Sequence, residues 1–124
     1  MERTVQYDLE KRTADFSRSV IYFVRKIKLN MINKPIISQL IRSATSIGAN
    51  YCEADNAYSH SDFSHKISIC KKESKETMYW LDLISETSEA DKTEVLPLLN
   101  EVNQLHLIFS KILASAKKKS KKID

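Results

Sequence analysis

Glycine and proline are scarce in this sequence, which has one glycine, Gly48, and two prolines, Pro35 and Pro97, among its 124 residues. Hairpin turns, β-sandwiches and β-barrels use these residues at their connections, so their scarcity favours long helices joined by few loops. A phosphate-binding loop and a dinucleotide-binding fingerprint both need several glycines where the backbone approaches phosphate. The sequence therefore excludes both of these nucleotide-binding motifs.

Spacing typical of metal ligands is also missing. The di-iron site of four-helix bundles needs Glu-x-x-His on two helices, and no Glu-x-x-His occurs in this chain. The histidines have no ligand spacing among themselves or with Cys52 and Cys70. We therefore predict no metal, no cofactor, no catalytic residue and a non-enzymatic protein. Each cysteine is predicted to be a buried thiol rather than half of a disulfide.

Long apolar runs are absent as well. The first twelve residues, MERTVQYDLEKR, are charged and contain no apolar signal core, and no apolar run is long enough to span a bilayer. We therefore expect a cytoplasmic protein that does not associate with membranes.

The apolar residues that are present recur at helical spacing in four segments. Asp8 is the predicted N-cap of the first segment, and Ser59-x-x-Asp62 is a predicted capping box for the third. Short connections between long helices favour antiparallel neighbours, so we predict an all-α, antiparallel, up-down-up-down four-helix bundle. Residues 1–116 form this domain, and residues 117–124 are predicted to be a disordered, Lys-rich tail. The predicted helices span residues 8–28, 34–55, 59–87 and 93–117.

Each predicted helix has one apolar stripe that would face the core. In the first, for example, Phe16, Val20 and Phe23 recur at spacings of four and three. Gly48 lies within the second helix, where it costs about 1 kcal/mol relative to alanine. We attribute it to the close approach of a neighbouring helix.

Some apolar residues lie outside these stripes. Residues 20–24, Val-Ile-Tyr-Phe-Val, cover every direction around a helix and cannot all face one core. The surplus on three helices predicts a subunit interface in a ring-shaped homo-oligomer. Its predicted residues are Ile21, Tyr22, Ile69, Trp80 and Leu83.

Charge is unevenly distributed along the chain, whose net charge is +4. Residues 117–124 hold five lysines and one aspartate. Residues 1–51 hold nine basic and four acidic residues, whereas residues 52–116 hold six basic and eleven acidic residues. A basic first half and an acidic second half suit head-to-tail contacts between subunits.

A line of polar residues runs beside the apolar stripe of the second helix. Its spacing is compatible with a solvated surface, and equally with a buried or interfacial hydrogen-bond network that fixes helix register. Carboxylates of the third helix are predicted to join such a network rather than to act as acid and base. The predicted polar network comprises Gln39, Arg42, Ser46, Asn50, Glu53, Glu73 and Glu76.

This segment resembles a known family. Residues 39–54, QLIRSATSIGANYCEA, are similar to the pattern Q-hydrophobic-R-R-A-x-x-S-I-x-x-N-hydrophobic-x-E-G of the bundle proteins encoded by intervening sequences in bacterial 23S rRNA genes. Residues 71–84, KKESKETMYWLDLI, resemble that family's third helix, and Tyr7-Asp8-Leu9 resembles its opening. Ala54 departs from the usual glycine, which puts the end of the second helix in doubt.

The resemblance implies a left-turning antiparallel bundle that assembles into a ring, commonly of five subunits, with no established enzymatic activity. Related accessory proteins of diversity-generating retroelements bind a reverse transcriptase and nucleic acid through a basic surface. The implied function is a nucleic-acid or ribonucleoprotein accessory factor. The alternative is a scaffold or adaptor for a partner enzyme such as a reverse transcriptase.

Nucleic-acid binding would use basic residues of the first helix and of the tail, through salt-dependent phosphate contacts. Against it, the body is neutral and aromatic residues are not interleaved with the basic ones. The candidate contacts are Lys11, Arg12, Arg18, Arg25, Lys26, Lys28, Lys117, Lys118, Lys119, Lys121 and Lys122.

Overall fold

Four consecutive α-helices make up the part of the chain that the structure, a computed structural model, describes. The described backbone covers residues 8–87 and 89–123, and the described side chains cover residues 8–87 and 92–118. No strand occurs within these ranges. The helices are α1 (Leu9–Arg25), α2 (Asn33–Asp55), α3 (His60–Ser85) and α4 (Glu89–Ile123). The prediction of an all-α four-helix bundle is confirmed.

Consecutive helices pack against each other, and α4 also packs against α1, which closes the bundle. Side-chain contacts give the helix directions. Lys26 at the end of α1 pairs with Glu94 near the start of α4, whereas Arg12 near the start of α1 pairs with Glu101 further along α4. This order requires α1 and α4 to run antiparallel, as the up-down-up-down arrangement predicts.

Polar side chains start the first three helices. Asp8 caps α1 in a left-handed conformation with φ of 37°, and the hydroxyl of Ser59 accepts from the backbone N–H of Asp62 at 3.0 Å. Both predicted caps are confirmed. Sequence reasoning missed Asn30, whose side chain accepts from the backbone N–H groups of Ile32 and Asn33 and so satisfies free donors before α2.

Three helix ends differ from their predicted positions by three residues or more. α1 ends at Arg25 rather than Lys28. α4 begins at Glu89 rather than Thr93, with Pro97 inside the helix, where the missing N–H removes one backbone hydrogen bond. α4 also continues to Ile123 instead of ending near residue 117. Lysine is a good helix former, and no glycine or proline interrupts this segment, so the helix can extend through it.

The core follows the predicted stripes. Phe109, Leu40, Ile47 and Leu81 are among its largest fully buried side chains. The stripe positions at the ends of the bundle are only half-buried: Ile27, Tyr51, Phe63, Met78 and Ile112.

Two buried features explain small residues in the sequence. The hydroxyl of Thr77 donates to the hydroxyl of Ser43 at 2.8 Å, which joins α3 to α2 inside the core. A Cβ at Gly48 would lie 3.3 Å from Oγ1 of Thr13 on α1. Thr13 is buried and its hydroxyl donates to the carbonyl of Leu9 at 2.7 Å, so it has little freedom to move. The predicted close approach at Gly48 is therefore present.

Candidate functional site

The central part of the predicted polar network is present in the structure, where Arg42 joins α2 to α3. Its Nε donates to Oε1 of Gln39 at 2.8 Å, and its terminal nitrogens bind Glu73, at 3.3 Å, and Glu76. Nε1 of Trp80 donates to the same Glu76 carboxylate at 2.9 Å. The Glu73 side chain is only 12% exposed. Both carboxylates are thus held by an arginine across the helix pair.

The rest of the predicted line forms two separate local groups. Nδ2 of Asn50 donates to the carbonyl and the hydroxyl of Ser46, both at 2.9 Å. Glu53 forms an ion pair with Lys66 of α3 at 2.6 Å, and this contact raises the pKa of Lys66. Helical spacing therefore identified residues of one face, but that face carries three clusters rather than one network.

The basic residues of α1 are largely occupied by carboxylates of the same chain. Lys11 and Arg18 both bind Asp15, at 2.7 and 2.9 Å. The hydrogen bond from Lys11 lowers the pKa of Asp15 and raises that of Lys11. Arg12 makes two parallel hydrogen bonds to Glu101, at 2.7 and 2.9 Å, and these raise the pKa of Arg12.

The remaining predicted contacts of α1 are mixed. Lys26 pairs with Glu94 of α4. The guanidinium of Arg25 lies 5.8 Å from the ring centroid of Tyr22, a cation–π distance. Among the described side chains, Lys28 has no ion pair. Three cations of the basic first half, Arg12, Lys26 and Arg42, thus bind carboxylates of the acidic second half within one chain.

A different set of cations lies along the groove between α3 and α4, which we call the α3–α4 groove. It has two adjoining parts, of about 820 Å³ and about 670 Å³, which share Ser68 and Lys71. Glu76 is the only acidic residue among its described lining residues, and Arg42 already binds that carboxylate. The basic and aromatic lining residues are His60, Lys71, Lys72, Lys75, Tyr79, His106 and Lys117.

The lysines of this groove have no carboxylate partner within the described residues. Lys71 and Lys75 lie close enough to His106 of α4 to act on its charge. Burial, followed by these two lysines, lowers the pKa of His106. The two lysines therefore disfavour the charged form of His106 in addition to the effect of its burial. Sequence reasoning missed the groove. Lys71 and Lys75 are four residues apart on one face of α3, a spacing that could have indicated them, but His106 and Lys117 reach the groove from α4.

The predicted subunit-interface residues differ in exposure. Ile21 and Tyr22 are exposed, at 38% and 58%. Ile69, Trp80 and Leu83 are half-buried, and Trp80 packs against the core of its own bundle. Large apolar side chains are also exposed on α4, where Leu107 is 50% exposed, and in the loop before α2, where Met31 is 92% exposed.

The lysines of the C-terminal segment extend the groove. Lys117 lines it and is exposed, and Lys118 is exposed beside it. The predicted contacts at Lys119, Lys121 and Lys122, and the predicted motif residue Tyr7, lie outside the described side chains.

The two cysteines are free, as predicted, but only one is buried. Burial raises the pKa of the Cys70 thiol to about 12, and this thiol donates to the carbonyl of Ile47 at 3.5 Å. The prediction that Cys52 is buried is wrong, because it faces outward from α2. The raised pKa keeps the buried Cys70 thiol in its neutral form.

Neither a metal-binding cluster nor a membrane-spanning helix is present in the part of the chain that the structure describes. Within the described side chains, no group of three or more histidine, cysteine or acidic residues is placed to hold a metal ion. None of the described helices combines the length and apolar character that crossing a membrane requires.

Known proteins are similar to this chain in sequence and in fold. A family model described as "23S rRNA-intervening sequence protein" matches residues 6–111. A crystal structure from Bacteroides thetaiotaomicron, described as a protein with unknown function from the S23 ribosomal protein family, is 30% identical to this chain with a TM-score of 0.72. The match covers 84% of this chain and 96% of that one. None of the curated proteins matches. The family resemblance predicted from the sequence is confirmed.

Proposed function

This chain belongs to the family of 23S rRNA-intervening sequence proteins, and from that premise we propose that it is a non-enzymatic, self-associating bundle that binds the phosphate backbone of nucleic acid as an accessory factor. The observation that carries the proposal is the continuity of cations without a described carboxylate partner from the α3–α4 groove to Lys118. Lys71, Lys75 and Lys117 all line this surface. The family's description names an intervening sequence of 23S rRNA, so RNA is the first probe to use.

Charge pairing decides which cations can serve this function. A lysine or arginine that already binds a carboxylate must give up that contact before it can neutralise a phosphate. The α1 cations Lys11, Arg12, Arg18 and Lys26 are paired in this way. The groove lysines and the exposed Lys118 have no such partner among the described side chains, so they release counterions from nucleic acid without that cost.

The non-enzymatic part of the proposal is supported by how the carboxylates are held. Glu73 and Glu76 bind Arg42, and Glu76 also accepts from Trp80. These contacts join two helices and give both carboxylates a structural role. The network thus supports helix register.

The self-association part is supported by exposed apolar side chains, among them Tyr22 on α1 and Leu107 on α4. Light scattering at micromolar concentration tests it, and we expect a mass several times that of one chain. A single 14.3 kDa species would overturn this part of the proposal.

The direct test of nucleic-acid binding is a salt series with labelled RNA for the full chain and for a chain ending at Ala116. We expect binding at low salt by the full chain, with a steep loss of affinity as salt increases. The shortened chain should bind more weakly and with a smaller salt slope, because its C-terminal lysines are gone. Absence of binding at low salt by both chains would overturn the proposal.

A protein-binding adaptor is the second candidate function. The same exposed residues favour it, because aromatic side chains are common in protein interfaces. Co-purification of tagged chain from its host separates the two candidates. A partner enzyme that remains bound after nuclease treatment would favour the adaptor.

A further inference from the structure

We infer that the α3–α4 groove binds a single strand of nucleic acid, with Lys71 and Lys75 contacting phosphates and Tyr79 stacking on a base. The inference rests on the proposed nucleic-acid function and adds to it the class of strand and the residues that hold it.

The electrostatics of the groove favour a polyanion along its whole length. The lining carries the ammonium groups of Lys71, Lys75 and Lys117, which have no described carboxylate partner. The one lining carboxylate, Glu76, is bound by Arg42 outside this set. An acidic strand entering the groove therefore meets positive charge with no competing internal anion.

The dimensions of the groove favour one strand over two. From His60 to Tyr79, α3 rises about 1.5 Å per residue, which gives a track of about 28 Å. The groove lies between two packed helices whose axes are typically about 8–10 Å apart. The major groove of a DNA duplex alone is about 12 Å wide and can hold an α-helix. The whole duplex is therefore wider than the space between these two helix axes and is too broad to enter the α3–α4 groove. A single strand can lie along the floor.

Tyr79 gives the groove a platform for a base. Its side chain is 56% exposed and lines the same part of the groove as Lys75. The Tyr79 ring packs edge-on against Trp80, with centroids 4.8 Å apart and an interplanar angle of 72°. Trp80 is itself fixed by its hydrogen bond to Glu76. An oriented, exposed ring beside cations is the arrangement with which proteins bind single strands without reading their sequence.

The test uses fluorescence anisotropy with the full chain and a labelled single-stranded oligonucleotide of about 20 nucleotides, long enough to exceed the track. The first variant is Lys71→Gln with Lys75→Gln. The matched control is Lys11→Gln with Arg18→Gln, which removes the same charge from residues that are already paired with Asp15. All four positions lie on exposed or half-exposed helix faces, and equal thermal unfolding midpoints would verify folding.

We expect the groove variant to lose about tenfold or more in affinity at low salt, and its log–log salt slope to fall by about 1.4, the value for two phosphate contacts on a single strand. The control should lose less than about threefold. Tyr79→Leu should lose about tenfold with an unchanged slope, and Tyr79→Phe should bind like the original chain.

Each of the other outcomes would overturn one part of the inference or the proposed function itself. Equal losses in the groove variant and the control, with the full chain still binding, would overturn the groove site and leave the proposed function standing. Equal binding of duplex and single strand, with no effect of Tyr79→Leu, would overturn the class of strand. A groove variant that changes the mass of the assembly but not nucleic-acid affinity would show that a second copy covers the groove, and so would overturn the inference. Absence of binding by the full chain would overturn the proposed function and the inference with it.

Discussion

Several cations of α1 are bound by carboxylates of the same chain, whereas the lysines of the α3–α4 groove have no described carboxylate partner. The sequence does not show this difference. Arg12 binds Glu101 in α4 through two hydrogen bonds, and Lys26 binds Glu94 of the same helix. Lys71 and Lys75 have no carboxylate partner among the described side chains, and their field reaches His106. The basic residues of the sequence made α1 and the C-terminal lysines the candidate binding surface, whereas the cations without a described carboxylate partner add the groove.

The difference arises because pairing depends on the bundle and not on neighbouring positions. Arg12 and Glu101 are 89 residues apart and meet only because α1 and α4 pack antiparallel. Three cations of the basic first half, Arg12, Lys26 and Arg42, thereby bind carboxylates of the acidic second half. The lysines that α3 and α4 bring together have no such partner among the described side chains.

The largest change we expect comes from breaking a paired cation that bridges two helices. Arg42→Met should lower the free energy of unfolding by about 1–2 kcal/mol, because it leaves Glu73 largely buried without its partner. The value is at the low end because the Arg42 side chain is 45% exposed and water replaces part of the interaction. Urea denaturation provides the measurement. Arg18→Met, at an exposed pair on one helix, is the control, and an equal loss in both variants would contradict this role for Arg42.

The next prediction converts paired cations into free ones. Glu94→Gln with Glu101→Gln releases Lys26 and Arg12, so nucleic-acid affinity should rise about fivefold above that of a variant with the same net charge. Glu10→Gln with Asp55→Asn supplies that comparison, since both residues are exposed and neither has a described ion pair. Anisotropy titrations at one low salt concentration measure the effect. Identical affinities for the two variants would show that pairing is irrelevant.

The smallest of these effects concerns pH. His106 has its pKa lowered by burial and by Lys71 and Lys75 of α3, so it is neutral at pH 7 and gains charge only below its usual range. Protonation adds a cation to the groove, and affinity should rise by about threefold as pH falls from about 7.5 to 5.5. The same lowered pKa means that the folded chain takes up this proton less readily than the unfolded chain. Its contribution to stability is therefore full above pH 6.5 and decreases as pH falls.

The control for this titration is His106→Gln in a chain that also carries His60→Gln, because His60 lines the groove too. The pH dependence of affinity should largely disappear when His106→Gln is added. His65→Gln, at an exposed position outside the lining of the groove, should keep it. A pH dependence that persists in His106→Gln would assign it to another group.

The sequence was sufficient for the bundle because each helix has an apolar stripe with a helical period. Val20, Leu40 and Leu105 are fully buried where that period placed them. Capping at Asp8 and Ser59 was also predictable, since a cap acts within three or four residues of itself. Gly48 was assigned to a close helix contact, and Thr13 provides it.

The candidate site was only partly predictable from the sequence, because several of its contacts join residues of separate helices. Helical spacing placed Gln39 and Arg42 on one face, and they do hydrogen-bond. Spacing could not show that Arg12 faces Glu101 or that His106 faces Lys71, because both pairs join separate helices. The path of α4 through residues 117–123 was missed because a run of lysines fits a charged helix end as well as a tail.

The salt dependence of single-strand binding tests the central claim, that unpaired cations of the α3–α4 groove hold nucleic acid and paired cations of α1 do not. The measurement compares the log–log salt slopes of the full chain, of Lys71→Gln with Lys75→Gln, and of Lys11→Gln with Arg18→Gln. We predict a slope smaller by about 1.4 for the groove variant and a slope unchanged within error for the α1 variant. Equal reductions in both variants, or a reduction in the α1 variant alone, would contradict the claim.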